Sequence, residues 1–346
     1  MAGIAKDRWI FRVATAARHG GGHLSRCLTL AEAMPETAEI LFLIDPDAGG
    51  AAARIQCHGY MAAVDDGAPV APVSGVLLDG YDFETETLSR YRPAGPMAVL
   101  DDLGEVPEGA GLAINTGFQM SGTALDGVPA LLGPRFALIG PEFAPSRPKG
   151  DSVDHVLVTM GRVDSDNATG LTLEALLEAR QEGFKPRVTV ALGSECPHLD
   201  AVRTLLSRFG GEAVLTLDTE VMPALLDEAD LVIGAGGVGL QERVAKGVPS
   251  VTLTLAANQE GATAAAVAQG LTAFGCRAAE TTRTALREAL CALTANRGAR
   301  KQMASRGPAV IDGKGPQRIA EALSAMAQSA KINNNSRTGK AAQSCR

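Results

Sequence analysis

A histidine stands directly after three glycines in the segment GGGHLSR, residues 20–26, between an apolar run and a helical pattern. Glycine has no Cβ, so the backbone of such a turn can approach a ligand closely. His23 would fall in the first turn of the helix, where the positive end of the helix dipole disfavours the imidazolium form. A general base must be neutral before it accepts a proton. The segment therefore indicates a base at a strand-to-helix turn; the alternative is a tight turn with a surface histidine.

A second glycine segment, GAGGVG at residues 234–239, follows the apolar run 231–233 and opens a helix that carries Glu242. Exposed backbone amides at such a helix start can hold a pyrophosphate. Glu242 lies within about one turn of that start, where its carboxylate could accept hydrogen bonds from a ribose diol. The alternative is a glutamate that the helix dipole favours at this position.

Two further polar loops precede predicted helices. In MGRVDSDN, residues 160–167, the side chains of Asp164, Asp166 and Asn167 are candidates to cap a helix that begins near Thr169. In NQEG, residues 258–261, Asn258 is either an N-cap or a ligand contact.

Several familiar catalytic motifs are missing from the sequence. It contains no GxSxG, HExxH or P-loop motif, and the spacing at residues 20–26 does not fit the GxGxxG of dinucleotide-binding folds. The remaining histidines, which have no metal-ligand spacing, are His19, His58, His155 and His198. We therefore expect no metal site.

Apolar runs alternate with turns and helical patterns through the first half of the chain. The predicted strands are residues 9–15, 40–44, 75–78, 97–100 and 112–114. Three of them end at a polar residue, namely Asp79, Asp101 and Asn115. Ligand groups in open α/β sheets usually lie at such strand ends. A helix after the first strand is predicted from the i, i+3, i+4, i+7 spacing of Leu24, Cys27, Leu28 and Ala31.

The Pro-rich and charged segment 141–151 marks a linker, and a second α/β series follows it. Its predicted strands are residues 153–160, 187–192, 213–217, 231–234 and 250–255. Alternation of strands and helices implies parallel sheets with right-handed crossovers. We expect two Rossmann-like domains, residues 1–145 and 151–328, with a cleft between them. The polar end, residues 331–346, is expected to be a disordered tail.

Composition narrows the class of protein. The 346 residues suffice for two domains, and the net charge of −7 argues against sequence-independent nucleic-acid binding. Six scattered cysteines without a CxxC pair are typical of reduced thiols. No run reaches the ~18 apolar residues of a membrane span, and no signal peptide is evident. We therefore expect a cytoplasmic protein; the sequence leaves its oligomeric state open.

Taken in order, these segments resemble the nucleotide-sugar hydrolase family of pseudaminic acid biosynthesis (PseG), which is related to the MurG-type glycosyltransferases. The resemblance spans about residues 8–275. GGGHLSR matches the family's GxGHxxR, LLDGYD (residues 77–82) matches a D-H-Y segment, and MGRVDSDN matches MGGxDxxN. GAGGVGLQERVAKGVPS followed by NQE matches AGGxxxxE, G-P-S and NQ, and VLDD (residues 99–102) and Asn115 match in order.

The resemblance implies a GT-B architecture, with two Rossmann-like, doubly wound parallel-sheet domains, and a UDP-2,4-diacetamido-2,4,6-trideoxy-β-L-altrose substrate or a close relative. His23 would be the base for a water that attacks the anomeric carbon with inversion and releases UDP, without metal or other cofactor. The second domain would hold UDP, with Glu242 on the ribose and the glycine loops on the pyrophosphate, and Tyr81 and Asn258 would lie near the sugar. The implied substrate-binding residues are Gly20, Gly22, Arg26, Tyr81, Gly161, Asn167, Gly236, Gly237, Glu242, Asn258 and Gln259.

Four positions depart from the family pattern. Ala14 replaces the acid of an R-x-D, Gly80 replaces a histidine, and Arg162 replaces the second glycine of MGG. Val238 replaces a small hydroxyl residue, which removes one side-chain donor to phosphate. Two alternatives stay open: a GT-B glycosyltransferase in which His23 deprotonates an acceptor hydroxyl, and a non-catalytic nucleotide-sugar-binding relative.

Overall fold

The computed structural model describes residues 7–15, 21–81, 85–104, 106–149 and 151–343, with the backbone alone at 85–87 and 333–343. The chain divides into two compact units. The first comprises residues 1–116, 120–138 and 314–346, and the second comprises residues 117–119 and 139–313.

The first unit is built on an eight-stranded sheet of order β3-β2-β1-β4-β5-β6-β8-β7. The strands are β1 (Asp7–Val13), β2 (Ala38–Ile44), β3 (Met61–Val64), β4 (Gly75–Asp79), β5 (Met97–Leu100), β6 (Leu112–Asn115), β7 (Ala124–Leu125) and β8 (Val128–Leu132). Neighbouring strands are parallel except in the β7–β8 hairpin. The strand order reverses between β1 and β4, which is the topological switch point of a doubly wound sheet.

Helices pack on this sheet because its strands are apolar on both faces, as parallel strands usually are. They are α1 (Gly22–Ala33), α2 (Ala51–Cys57), α3 (Thr85–Tyr91) and α11 (Gly315–Gln343). The predicted apolar face of α1 is confirmed, since Leu24, Cys27, Leu28 and Ala31 are all buried. In the same core Phe11 of β1 meets Phe42 of β2 edge-on, with ring centroids 5.5 Å apart.

The second unit contains a parallel six-stranded sheet of order β11-β10-β9-β12-β13-β14. Its strands are β9 (His155–Thr159), β10 (Arg187–Leu192), β11 (Ala213–Leu217), β12 (Leu231–Ala235), β13 (Ser250–Thr254) and β14 (Ala273–Arg277). Its helices are α4 (Ala168–Gln181), α5 (Leu199–Ser207), α6 (Met222–Glu228), α7 (Val238–Lys246), α8 (Glu260–Ala268), α9 (Arg283–Ala295) and α10 (Arg297–Val310). Counted from β9, the strand order is the 3-2-1-4-5-6 of the Rossmann fold.

The predicted linker belongs to the second unit, which begins at Ile139 and not after residue 150. Two buried lysines hold this segment in place. Lys149 Nζ donates to the carbonyl oxygens of Leu226, at 2.9 Å, and Ala229, at 2.7 Å, near the end of α6. Lys246 Nζ donates to the carbonyl oxygen of Glu142 at 2.9 Å. These long-range bonds could not be read from the local Pro-rich composition.

The C-terminal part of the chain also differs from the predicted domains, because residues 314–346 group with the first unit and not with the second. Ile319, Leu323 and Ala327 of α11 lie in the core of the first unit. The chain from residue 331, expected to be a disordered tail, continues the backbone of α11 as far as Gln343. Nothing in the sequence of a long helix shows which sheet it will cover.

Among the described residues, no helix combines the length and the apolar content that crossing a bilayer requires. None of the described cysteines forms a disulfide; they are Cys27, Cys57, Cys196, Cys276 and Cys291.

Candidate functional site

Polar side chains line the carboxyl edge of the first sheet. Asp65, Asp45 and Asp101 each follow a strand, and Asp79 and Asn115 each end one. The strand-end prediction for Asp79, Asp101 and Asn115 is therefore confirmed. Asp79 ends β4, next to β1, and so stands at the switch point where ligand sites of this fold class form.

His23 is the second residue of α1, and the residue is 4% exposed. Its Nδ1 lies 2.6 Å from Oδ1 of the fully buried Asp79. Burial by itself raises the pKa of Asp79, but the charge and hydrogen bonds of Arg26, with the hydrogen bond from His23, outweigh it and hold that pKa well below its ordinary value. An ionised carboxylate only accepts hydrogen bonds. The hydrogen therefore sits on Nδ1, and in the neutral ring the lone pair is on Nε2.

Arg26 lies one helical turn after His23 and clamps two carboxylates. Its Nε donates to Asp79 Oδ2 at 2.7 Å and its Nη2 to Asp79 Oδ1 at 2.5 Å. Its Nη1 donates to both oxygens of Asp102, at 2.8 and 2.9 Å. Nη2 also lies 3.2 Å from His23 Nδ1; because both atoms carry hydrogens directed at Asp79, we count this approach as a contact and not as a hydrogen bond.

Tyr81 completes the cluster. Its hydroxyl donates to Asp102 Oδ2 at 2.8 Å, and its ring meets that of His23 edge-on at 4.8 Å. Burial opposes ionisation of Asp102, but Arg26 and the Tyr81 hydroxyl hold its pKa below the ordinary value. Arg26 and Tyr81, both predicted to touch the ligand, thus hold the carboxylates around His23.

The roles of Asp79 and Asp102 in this cluster were missed by the sequence reasoning. The available signal was that both acids follow neighbouring predicted strands, whose carboxyl ends meet at one sheet edge. His23 and Arg26, spaced i and i+3, share the helix face that points to that edge.

A second ion-pair group lies at the neighbouring strand ends. Arg12 donates from Nη2 to Asp45 Oδ1 at 2.6 Å and from Nε to Asp65 Oδ2 at 2.7 Å. Asp45 Oδ2 also accepts from the Thr15 amide at 2.6 Å. Asp45, which follows β2, therefore holds the segment directly after β1.

Of the predicted glycine contacts in this region, Gly22 is the first residue of α1, with Gly21 at the N-cap. Gly20 lies outside the described residues.

The predicted strand–glycine–helix junction of the second unit is confirmed. β12 ends at Ala235, Gly236 and Gly237 form the turn, and α7 begins at Val238. A Cβ added to Gly236 would collide with the hydroxyl of Thr263, so glycine is required there. Gln259 lies beside the same turn, where its Nε2 would be 3.5 Å from a Cβ on Gly237.

Glu242 lies in the second turn of α7 and is half-buried. Burial raises the pKa of its carboxyl to about 7, with a further contribution from Glu142, while Arg243 opposes the shift. It makes no hydrogen bond or ion pair with any described residue.

The polar loop after β9 caps a helix, as predicted for two of its three candidates. Asn167 is the N-cap of α4, and its Oδ1 accepts from the Gly170 amide at 3.2 Å. Both oxygens of Asp164 accept from the first amides of α4, at 2.9 Å each. Gly161, in the same loop, has φ +88°, which favours glycine. Arg162 pairs with Asp218, its Nη2 lying 3.0 Å from Oδ1.

The N-cap prediction for Asn258 is wrong. Asn258 lies inside a short 3-10 turn, Ala257–Gln259, and the residue at the N-cap of α8 is Gln259, which makes no side-chain capping bond. Gln259 instead accepts at Oε1 from the Leu255 amide at 3.0 Å. This extra turn moves the helix start by one residue, to Glu260.

A scan against models of known protein families finds no match, and no curated protein matches the chain. Solved structures match nearly all of it. MurG of Acinetobacter baumannii is 14% identical over 92% of this chain and 99% of its own, with a TM-score of 0.67. The kitacinnamycin glycosyltransferase is 14% identical over 93% and 100%, with a TM-score of 0.64. The spinosyn rhamnosyltransferase SpnG, solved with thymidine diphosphate, is 16% identical over 92% and 99%, with a TM-score of 0.60.

These similarities establish the fold. The chain has the two-sheet α/β architecture of the GT-B glycosyltransferases, as the sequence predicted.

Proposed function

We propose that the protein is a UDP-sugar hydrolase in which His23 activates the attacking water. The observation that carries this proposal is the 2.6 Å hydrogen bond between His23 Nδ1 and the buried Asp79 carboxylate. That bond fixes the ring and its tautomer and stabilises the imidazolium once it forms, as the aspartate does in a Ser-His-Asp triad.

In the proposed reaction, His23 Nε2 takes a proton from water while the water oxygen attacks the anomeric carbon. The bond from that carbon to the diphosphate oxygen breaks, so UDP leaves and the configuration inverts. Asp79 remains ionised throughout and offsets the positive charge on the ring. A positioned general base contributes about 10²–10⁴-fold to the rate.

The second unit is proposed to bind the nucleotide. The amides of Gly236 and Gly237, at the start of α7, would carry the diphosphate, where the helix dipole favours negative charge. Glu242 would bind the ribose hydroxyls, and Gln259 would lie beside the diphosphate. Support for a nucleoside diphosphate comes from the fold, since SpnG was solved with thymidine diphosphate.

The sugar is proposed from the resemblance of the motifs to the PseG family. It would be a UDP-2,4-diacetamido-2,4,6-trideoxy-hexose, and the hydrolysed sugar would serve pseudaminic acid synthesis in the cytoplasm. We infer that Arg26 positions Asp79 and Asp102 and does not touch this substrate, because its nitrogens already donate to those carboxylates.

A glycosyltransferase is the second candidate, because the similar structures SpnG and the kitacinnamycin enzyme are named as transferases. The same His23 would then deprotonate an acceptor hydroxyl. The two candidates differ in whether UDP is released when no acceptor is present.

The test measures UDP release from UDP-2,4-diacetamido-2,4,6-trideoxy-β-L-altrose without acceptor, for the wild type, His23→Ala and His58→Ala. His58 is the matched control, because it is an exposed histidine of the same unit that pairs with Glu32. We expect His23→Ala to lose about 10²-fold or more and His58→Ala to keep wild-type turnover. UDP binding without wild-type turnover would reject hydrolysis of this sugar, and acceptor-dependent release would establish the transferase.

A further inference from the structure

Arg243 is a buried cation that forms no ion pair with a carboxylate of the described residues. It is 1% exposed and is one of the largest fully buried side chains of the protein. Its Nη2 donates to the carbonyl oxygen of Ala235 at 2.9 Å and to Thr252 Oγ1 at 3.1 Å. Its Nε is also buried and meets no acceptor in the part of the chain that the structure describes. Burying a charge is costly unless it is paired, so this arrangement calls for an explanation.

The other buried arginines among the described residues lie beside carboxylates or at the negative end of a helix, although Arg300 Nε, like Arg243 Nε, meets no acceptor there. Arg26 is held by two carboxylates. Arg300 donates to the carbonyl oxygens of Leu293, at 3.0 Å, and Thr294, at the end of α9, which is the negative end of the helix dipole. Arg243 belongs to the last turn of α7, but its guanidinium reaches back to Ala235 and Gly239 at the start of that helix, which is the positive end of the helix dipole.

The guanidinium of Arg243 lies beside both ends of the glycine loop, residues 234–239. A Cβ added to Gly234 would lie 2.7 Å from Nη1, and one added to Gly239 would lie 3.4 Å from it. Thr263 approaches the same loop below Gly236; its hydroxyl is fully buried and has no partner among the described residues. The glycine loop therefore lies next to the positive end of α7 and to the side chains of Arg243 and Thr263, each of which has a buried polar atom without a partner among the described residues.

The charge of Arg243 persists at neutral pH. Burial lowers its pKa to about 10, while Glu242 opposes the shift. The Glu242 carboxyl, whose charge opposes that shift, has a pKa of about 7 and so is only partly ionised at neutral pH. The positive potential at the loop is thus left without full compensation by the described residues.

We infer that Arg243 is a positioning residue that strengthens diphosphate binding at the glycine loop through its buried positive charge. It acts from beneath the loop, holding Ala235 in place while its charge adds to the helix dipole above. The inference rests on the proposed function in taking UDP as the ligand. It requires that the contribution of Arg243 grows with the negative charge of the ligand, which a role in folding alone would not produce.

The test measures the affinities of UDP, uridine and inorganic pyrophosphate for the full chain by calorimetry, in the wild type, Arg243→Met and Arg243→Lys. Methionine removes the charge and keeps apolar volume, an exchange that buried ion sites often tolerate. We expect Arg243→Met to weaken UDP and pyrophosphate about tenfold or more and uridine by no more than about twofold. Arg243→Lys restores an amine cation at this position and should bind UDP more tightly than Arg243→Met does.

Equal weakening of UDP and uridine in Arg243→Met would overturn the inference and leave the proposed function intact. If Arg243→Met does not fold, the lysine variant decides: loss of UDP and uridine alike shows that only the hydrogen bonds of the arginine mattered. Pyrophosphate binding that depends on Arg243, in a wild type that does not bind UDP, would support the anion site and reject the nucleotide. A wild type that binds neither UDP nor pyrophosphate would reject both.

Discussion

The His23 cluster of the first unit and the glycine loop of the second unit differ in whether their buried polar groups have partners. Around His23, each charged group is matched: Asp79 and Asp102 accept from Arg26, and the Tyr81 hydroxyl donates to Asp102. Around the glycine loop of the second unit, Arg243 Nε and the Thr263 hydroxyl are buried without partners among the described residues. The first region is satisfied by the protein itself, and the second is not.

This difference indicates different tasks. A satisfied network fixes the position and tautomer of a single group, which a general base needs before the reaction starts. Unsatisfied donors around a helix start favour a ligand that brings negative charge. Variants of each region should therefore affect different kinetic parameters: turnover for the His23 cluster, and ligand affinity for the glycine loop.

Asp79→Asn should give the largest effect. An asparagine amide can donate to His23 Nδ1 and so place the hydrogen on Nε2, where it blocks proton uptake. By analogy with triad aspartates we expect kcat to fall about 10³-fold or more, while the Kd for UDP stays within about twofold. Steady-state kinetics and calorimetry on the same preparation measure both.

Asp66→Asn is the control for this variant, because Asp66 follows β3 in the same unit and is exposed. It should leave both parameters unchanged. An Asp79→Asn enzyme with wild-type kcat would show that His23 does not act as the base. Weaker UDP binding by this variant would show that the His23 cluster affects ligand affinity as well as turnover.

Glu242→Gln should show its effect in the pH dependence of thermal stability. A carboxyl whose folded pKa is raised to about 7 makes the folded state less stable as pH rises from its ordinary pKa of 4.5 towards 7, because ionisation is harder in the folded state. The variant should therefore melt roughly 2–4 °C above wild type at pH 8 and close to wild type at pH 5.

Glu195→Gln serves as the control for Glu242→Gln, since Glu195 is an exposed glutamate of the same unit. Its melting temperature should differ from wild type by the same amount at both pH values. An equal shift in melting temperature at pH 5 and pH 8 for Glu242→Gln would show that the Glu242 carboxyl of the wild type has an ordinary pKa. Glu242 would then no longer contrast with Asp79 by its raised pKa.

The sequence predicted what depends on neighbours along the chain. The apolar runs that end at Asp79, Asp101 and Asn115 are strands, and Asn167 caps the helix that follows it, because both features are set within a few residues. Asn258 failed as an N-cap because a 3-10 turn intervenes, a matter of backbone dihedrals that composition does not determine.

What could not be predicted depends on packing between distant segments. His23 and Asp79 are 56 residues apart, and their contact requires that β4 lie beside β1. Arg243 follows a glutamate in an ordinary helical pattern, and its burial comes from Thr252 on β13 and the loop above it. Likewise, the local sequence of α11 does not determine that this helix packs on the sheet of the first unit.

Tyr81→Phe should have the smallest effect. This variant tests whether the His23 cluster contacts the substrate as well as positioning His23. If the Tyr81 hydroxyl acts only by donating to Asp102, its removal costs one hydrogen bond to a carboxylate that Arg26 still holds. We then expect kcat to fall by about 2–10-fold, with KM unchanged. A loss of about 10²-fold, or a matching rise in KM, would mean that Tyr81 contacts the sugar, as the family resemblance implies. The cluster would then bind substrate as well as position His23, and the division between a satisfied region and a ligand-binding region would hold only for Arg26, Asp79 and Asp102.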